Sequence, residues 1–318
     1  MQRLRLWATL AAGSVALILP AGLNAYWLHV MIIAFFYAIV TTSWTLLVGY
    51  AGQFSFGHVA FVALGGYTSA LLVQWLAIPI PFGMVAAILM CLIWGAAIGW
   101  ICLRMRGPYL AIFTLAFAEV LRIVFVTENE VTGGAGGLSA APLFHTRTDL
   151  PYYYLALALL AASLAIMAAM IRSRWGLFFR AIRENEPAAA ACGVKVVRFR
   201  ILAFAVASGF AGLAGAFYAH YIGILTPDVG SVDNMGLVVA MAVIGGSESL
   251  AGGLAGAVGV ELLSELLRSY GQWRFVLFGA LLLLTMRFAR NGLLALAARS
   301  VQALLATGKL GPLRREAS

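Results

Sequence analysis

Apolar residues run through this chain in long unbroken blocks, not at the one-sided spacing of a helix on a soluble protein. From Leu6 to Leu103 there is no Lys, Arg, Asp or Glu, a stretch long enough for four helical membrane crossings at about 20 residues each. Blocks of this kind predict helices at 7–24, 27–48, 59–77, 82–103, 109–127, 152–171, 200–221, 235–245, 254–268 and 273–290. The expected fold is all-α, a polytopic integral membrane bundle of roughly eight to ten transmembrane helices. It forms a single domain over residues 1–318, with a polar island at 172–200 and a basic tail at 291–318. Between 235 and 268, Gly245, Gly246, Gly252, Gly253 and Gly256 interrupt the apolar sequence. A broken or re-entrant helix pair is the alternative to two full spans there. The basic start and apolar middle of the first 25 residues resemble a signal peptide. Another apolar segment follows almost at once, which fits a retained first span better.

Composition and charge agree with the pattern. With 63% hydrophobic and 10% charged residues, the chain is excluded from soluble globules, which carry about 25% charged residues. Arg3 and Arg5, Arg104 and Arg106, seven basic residues of the island and six between Arg287 and Arg315 fall on one face, 17 of 21. The excess of Lys and Arg marks that face as cytoplasmic and puts both termini there. The net charge of +9 is therefore a topology signal and not a nucleic-acid footprint. Cys91, Cys102 and Cys192 offer neither a disulfide framework nor a metal spacing.

Small residues recur at helix-packing intervals. Gly95 and Gly99, and Gly252 and Gly256, form GxxxG pairs, while Gly209, Gly212 and Gly215 follow at three-residue steps. Such surfaces serve close packing, either within the chain or against another subunit.

Polar groups inside the apolar sequence are the candidate chemistry. GYAGQFSFGH, from Gly49 to His58, joins three glycines with Gln53, Ser55 and His58. It is either a plain turn or a dip toward a central path whose open backbone groups bind a polar solute. VIGGSESLAGGLAG, from Val243 to Gly256, is a comparable arrangement with Glu248, and the two read as a weak internal repeat. Glu119 and Arg122 lie one helical turn apart in the fifth predicted span, placed to form an intramembrane ion pair. Glu261, Glu265 and Arg268 share a stripe near the outer surface, read as a solvated or interhelical patch. The outer loop from Thr127 to Leu150 holds TGGAGGL and several acids, read as a flexible connection or a docking face.

The island RSRWGLFFRAIRENEPAAAACGVKVVRFR is predicted to contain a short helix. Asn185 or Glu186 caps it, Pro187 suits its first turn, Ala188 to Ala191 propagate it and Gly193 ends it. Trp175, Phe178 and Phe179 suit a membrane interface, and Arg180 and Arg183 suit acidic groups or phosphates. A short helix with small side chains fits a groove on a partner.

ENEPAAAACGV resembles the EAA-type cytoplasmic loop of ABC-importer permeases. The blocks LLVGYAGQFSFGHVAFVALGGYTSALL, GPYLAIFTLAFAEVLRIV, TGGAGGL, RSRWGLFFRAIRENEPAAAACGV and FAGLAGAFYAH resemble the branched-chain amino-acid permease family, in its LivM branch. The resemblance implies a bacterial inner-membrane permease subunit of an ATP-driven importer, forming half of a translocation path. It assigns ATPase coupling to Glu184, Asn185, Glu186, Pro187, Ala188, Ala190 and Gly193, and a substrate path to Gln53, Ser55, Gly57 and His58. Pro187 stands beside Glu186 where the simplest EAA pattern has alanine. The implied partners are a second, LivH-like permease, two LivG- and LivF-like ATPases and a periplasmic solute-binding protein. ATP and Mg belong to the ATPases. The chain itself lacks a GxxxxGK[ST] phosphate loop and is read as a transporter and not an enzyme.

Two other readings remain at this stage. One is a stand-alone secondary transporter or channel, using Glu119, His58 and Glu248 for ion coupling; the island argues against it. The other keeps the permease and changes the solute to urea, short amides or aromatic acids.

Overall fold

A segment surrounded by lipid and other apolar helices must satisfy its own backbone amides, so charge-free sequence folds as helix. The computed structural model describes residues 16–102, 105, 107–146 and 148–268, with isolated positions at 13, 271, 276, 277, 279, 280, 283, 285 and 287. Its elements begin with α1 (Ala25–Thr45), α2 (His58–Leu76), α3 (Ile80–Ile101), α4 (Pro108–Thr127) and α5 (Leu150–Arg172). Two shorter helices, α6 (Arg174–Glu184) and α7 (Glu186–Ala191), occupy the island, followed by the long α8 (Val196–Ile222). The last are α9 (Val232–Gly245) and α10 (Leu250–Leu266).

Six of these, α1 to α5 and α8, are long and apolar enough to cross a membrane, and α9 and α10 form a broken or re-entrant pair bent by 119°. All lie within four residues of the stretches expected from hydropathy. The protein is thus an all-α polytopic membrane protein. The first expected span, 7–24, is described at Gly13 and from Ala16 onward, with a 3-10 turn at Leu19–Gly22. The span at 273–290 is described at isolated positions only, and the tail 291–318, with Arg3, Arg5, Arg104 and Arg106, lies outside the described residues.

Local chemistry sets the helix ends. Asn24 caps α1 by accepting from the Trp27 amide at 3.0 Å. Ser231 caps α9, and Ser249 caps α10 by accepting from the Gly252 amide at 3.0 Å. Gly223 ends α8 at φ +82°, a left-handed position that favours glycine.

The centre of the bundle is α8, which packs mainly against α3 and α2, while α1 packs against α10, α5 and α8. Glycine makes this possible. A β-carbon at Gly215 would overlap the Val62 carbonyl of α2, and one at Gly65 would overlap the backbone of Gly212. Gly95 and Gly99 of α3 lie against Ser208 and Phe204 of α8, and Gly252 and Gly256 of α10 lie against Gly245 and Met241 of α9. The GxxxG pairs therefore pack this chain against itself.

The end of the bundle remote from the island, called the far end below, is built differently from expectation. The segment between α4 and α5 is not a flexible connection. Its β1 (Leu138–Ser139) pairs antiparallel with β2 (Ile224–Leu225), Leu138 opposite Leu225. Thr132 donates to the Phe125 carbonyl at 2.8 Å, His220 Nδ1 meets the Ala141 carbonyl at 2.7 Å, and the Phe144 amide donates to the Tyr152 hydroxyl at 3.0 Å. Buried Leu138 and Ala140 join Tyr67 and Phe125 in a small core. The loop is a structured cap.

The glycine contacts give a direct test. Gly215→Val should destabilise the detergent-solubilised protein by about 1–3 kcal/mol or more, as overpacking does. Gly236→Ala, where nothing lies within 4 Å, should leave the thermal transition in place. Equal transitions for the two variants would contradict the packing described.

Candidate functional site

The polar island folds into two helices at one end of the bundle. Only the shorter was expected. In α7, the Asn185 side chain accepts from the Ala188 amide at 3.0 Å, Pro187 sits in the first turn and Gly193 follows the helix at φ +82°. Ala189 is buried, whereas Pro187, Ala188, Ala190 and Ala191 are exposed, so the helix turns a face of small side chains outward. The preceding α6, capped by Ser173, buries Gly176, Phe179 and Ile182. Phe178 and Phe179 both meet Phe199 at the start of α8, with Phe179 fully buried. Of the three aromatics assigned to a membrane interface, only Trp175 is exposed. The Phe199 contact, which no local pattern reveals, draws the other two inward.

Two arginines join the island to the membrane helices. Arg183, at the end of α6, donates from Nη1 to the Gly49 carbonyl and from Nη2 to Glu248 at 2.8 Å. Arg200, 7% exposed at the start of α8, donates to the Met105 carbonyl at 3.0 Å and lies 3.7 Å from Glu186 of α7. The Arg200 carbonyl accepts from Gln53 at 3.1 Å. Arg180 lies over the Tyr50 ring at 5.4 Å. Sequence reading flagged Arg183 but missed Arg200; its only signal was a charge just inside an apolar span.

These contacts converge on the two glycine-interrupted segments. After Thr45 the helix α1 widens into a π-turn, Leu46–Tyr50, and the chain from Ala51 to Gly57 is non-helical before α2 begins at His58. Such π-turns mark places where a helix gives up its regular ladder. Gly49 packs so closely on Ser247, in the break between α9 and α10, that a β-carbon would overlap its carbonyl. Gly253 lies against the side chain of Thr45. The two segments that looked like a repeat are thus side by side, and Arg183 bonds to both.

The loop exposes Gly52 and Phe54 but buries its polar side chains. Gln53, Ser55 and His58 are at most 4% exposed. His58 Nε2 is 2.7 Å from the Ser43 hydroxyl, Trp44 donates to the Ser55 carbonyl at 2.8 Å, and the Ser55 hydroxyl accepts from the Gly57 amide at 3.2 Å. The Phe56 amide donates to Thr114 of α4 at 3.0 Å. Gln53, Ser55, Gly57 and His58 therefore come together, but as internally bonded groups; they do not line the two cavities described below. Glu119 and Arg122 do form a pair, with Arg122 Nε 3.1 Å from both carboxylate oxygens, and both side chains are partly exposed on the outward side of α4.

A cavity of about 250 Å³ opens at the far end between α1, α8 and α10. Tyr26, His29, Tyr37, Tyr218, Glu261, Glu265 and Arg268 supply its polar groups. Arg268 donates to Glu265 at 3.1 Å, and Glu265 also accepts from Tyr26. The stripe expected to be a solvated or interhelical patch is part of a cavity wall. Beneath it, a smaller pocket of Phe36, Val40, Val59, Val62, Val229, Asn234 and Val238 shares Tyr37 and Tyr218.

Comparison with known proteins fits this architecture. The family model for the permease component of branched-chain amino acid transport systems matches residues 26–286. The chain belongs to that permease family. It is 31% identical over 292 residues to the high-affinity branched-chain amino acid transport system permease protein LivM of Escherichia coli K12, covering 81% of this chain and 67% of the relative. A probable LivM permease of Methanocaldococcus jannaschii is 24% identical, with 81% of this chain and 90% of the relative covered. The LivH permease of Salmonella typhimurium is 23% identical, with 81% and 91% covered. These relatives are transport permease subunits, and the likeness to both LivM and LivH implies a system with two permeases. No solved structure matches the chain.

The energetics of the junction are open to measurement. Arg183 and Glu248 side chains are 31% and 63% exposed, so solvent screens their attraction. A double-mutant cycle with Arg183→Ala and Glu248→Ala, read by thermal unfolding in detergent, should return a coupling of about 0.2–1 kcal/mol. A coupling of zero would mean that the pair with Glu248 does not help to hold the break.

Proposed function

We propose that this chain is one of two permease subunits of an ATP-driven ABC importer for branched-chain amino acids in the bacterial cytoplasmic membrane. The island end faces the cytoplasm in this reading, and both termini lie there. A second permease completes the path, two ATPases supply the energy, and a periplasmic binding protein delivers the solute.

The observation that carries the reading is the wiring of α7. A short, capped helix with an outward face of Pro187, Ala188, Ala190 and Ala191 suits a cleft on a soluble subunit. On its inner side it joins Glu186 to Arg200, while α6, which leads into it, joins Arg183 to Gly49 and Glu248. When ATP binding draws the ATPases together, α6 and α7 move as one unit and carry both helix breaks with them. Glu184 and Asn185 form the elbow between the two helices. The same wiring argues against an autonomous carrier: Glu248 is engaged by the island, and His58 by Ser43. Branched-chain amino acids are the named solutes of the relatives cited above.

The test is leucine uptake into proteoliposomes that contain the whole complex. Introducing Ala188→Arg with Ala190→Arg fills the exposed face without touching the buried Ala189. Uptake should fall by at least about tenfold, the scale of a typical coupling between sites, while the chain remains inserted. Arg183→Ala should leave ATP hydrolysis running with less solute moved per ATP. Unchanged ATP-driven uptake in both variants would overturn the coupling role.

A further inference from the structure

We propose that the outward face of α4, with Glu119 and Arg122 at its polar centre, is the surface on which the second permease packs. This deepens the import reading and rests on it for the identity of the occupant.

Three long helices are poorly covered by the rest of the chain: 33% of the apolar stretch of α3 is buried, 28% of that of α4 and 33% of that of α5. Two of the uncovered faces suit lipid. That of α3 presents Phe82, Val85, Leu89 and Ile93, and neither α3 nor α5 holds a charged residue between its ends. The face of α4 differs. Ile112, Ala116, Val120 and Ile123 run along it at four- and three-residue steps, with Glu119 and Arg122 on its flank. Among the described residues, Glu119 is the only carboxylate of the six long helices, and its side chain is 37% exposed. It stands eight residues before the end of α4 at Thr127, a depth of about 12 Å at the rise of an α-helix. Its short side chain cannot reach water from there, whereas Arg122, a turn nearer the far end, also feels the charge of Asp228. Among the described residues Glu119 bonds to Arg122 alone, so its carboxylate keeps acceptor capacity toward the outside. Hydrocarbon cannot use that capacity. Polar groups on a neighbouring membrane helix can, and such bonds select which helices meet. The membrane-embedded neighbour is the second permease that the likeness to both LivM and LivH implies.

Photocross-linking in membranes that contain the whole complex tests the assignment. A benzophenone side chain placed at Ala116, Val120 or Ile123 of α4 should give an adduct with the second permease, and the same probe at Ile93 of α3 or Ile166 of α5 supplies the reference for lipid labelling. Lipid labelling alone from the α4 positions would overturn the surface. So would an adduct between two copies of this chain, or a cross-link from α4 back into the same chain. The ion pair is tested by exchange: Glu119→Arg with Arg122→Glu keeps a pair and the net charge but reverses what the partner meets. The exchange should cost the detergent-purified complex its second permease while the chain alone keeps its thermal transition. Retention of the second permease would overturn the role of the pair, and an exchange that unfolds the chain leaves the cross-links to decide. The α7 substitutions should not change the adducts. If the α4 probes capture the second permease while the α7 substitutions leave uptake unchanged, the packing surface stands and the coupling falls. If the α4 probes label lipid alone while the α7 substitutions abolish uptake, the reverse holds.

Discussion

Inside an apolar bundle, a carbonyl that has left its helix has no water to bond, and leaving it bare costs several kcal/mol. This chain opens its helices in two places, after Tyr50 and after Gly245, and both openings lie where Arg183 reaches in from the polar island. The surrounding groups complete the bonding: Trp44 on the Ser55 carbonyl, Gln53 on the Arg200 carbonyl, Thr114 on the Phe56 amide. The irregular backbone exists because the island satisfies part of it. A displacement of the island therefore changes the bonding of the joints themselves, without needing a long chain of intermediaries.

Much of this was legible in the residues. Charge-free blocks located the helices to within a few positions, because in lipid the demand for internal hydrogen bonds leaves helix as the only local solution. Asn185, Pro187 and Gly193 marked α7 through capping chemistry that acts within four residues. What could not be read were contacts between segments far apart in sequence. Gly49 and Ser247 are neighbours in space but separated by nearly the whole bundle, and their similarity in composition hinted at kinship without stating contact. Phe179 looked like an interfacial aromatic until Phe199 buried it. The loop before α5 contained glycines and acids, the composition of a flexible connection, yet the pairing of Leu138 with Leu225 orders it.

The cavity residues illustrate a second limit. Tyr37 and Tyr218 are unremarkable members of apolar stretches, and nothing in their spacing points to a site. Glu261, Glu265 and Arg268 drew notice as charges near a membrane boundary, but an acidic stripe on a helix is usually a solvated face. Only the convergence of α1, α8 and α10 gives these side chains a common space. Family membership, which the match over residues 26–286 establishes, supplies the class of protein but not the positions at which a solute would rest.

The contact between the two arms of the α9–α10 hairpin has a mechanical consequence. Gly245, Gly252 and Gly256 bring the arms together through bare backbone beside the break, so the angle between them cannot change without losing that contact. The hairpin behaves as a stiff wedge, with its tip at Glu248 beside the island and its heel at Glu265 beside Tyr26. At 1.5 Å per residue, the 17 residues of α10 span about 25 Å. A tilt imposed at the tip would therefore arrive at the heel as a swing of comparable size, in the opposite direction if the pivot lies between them.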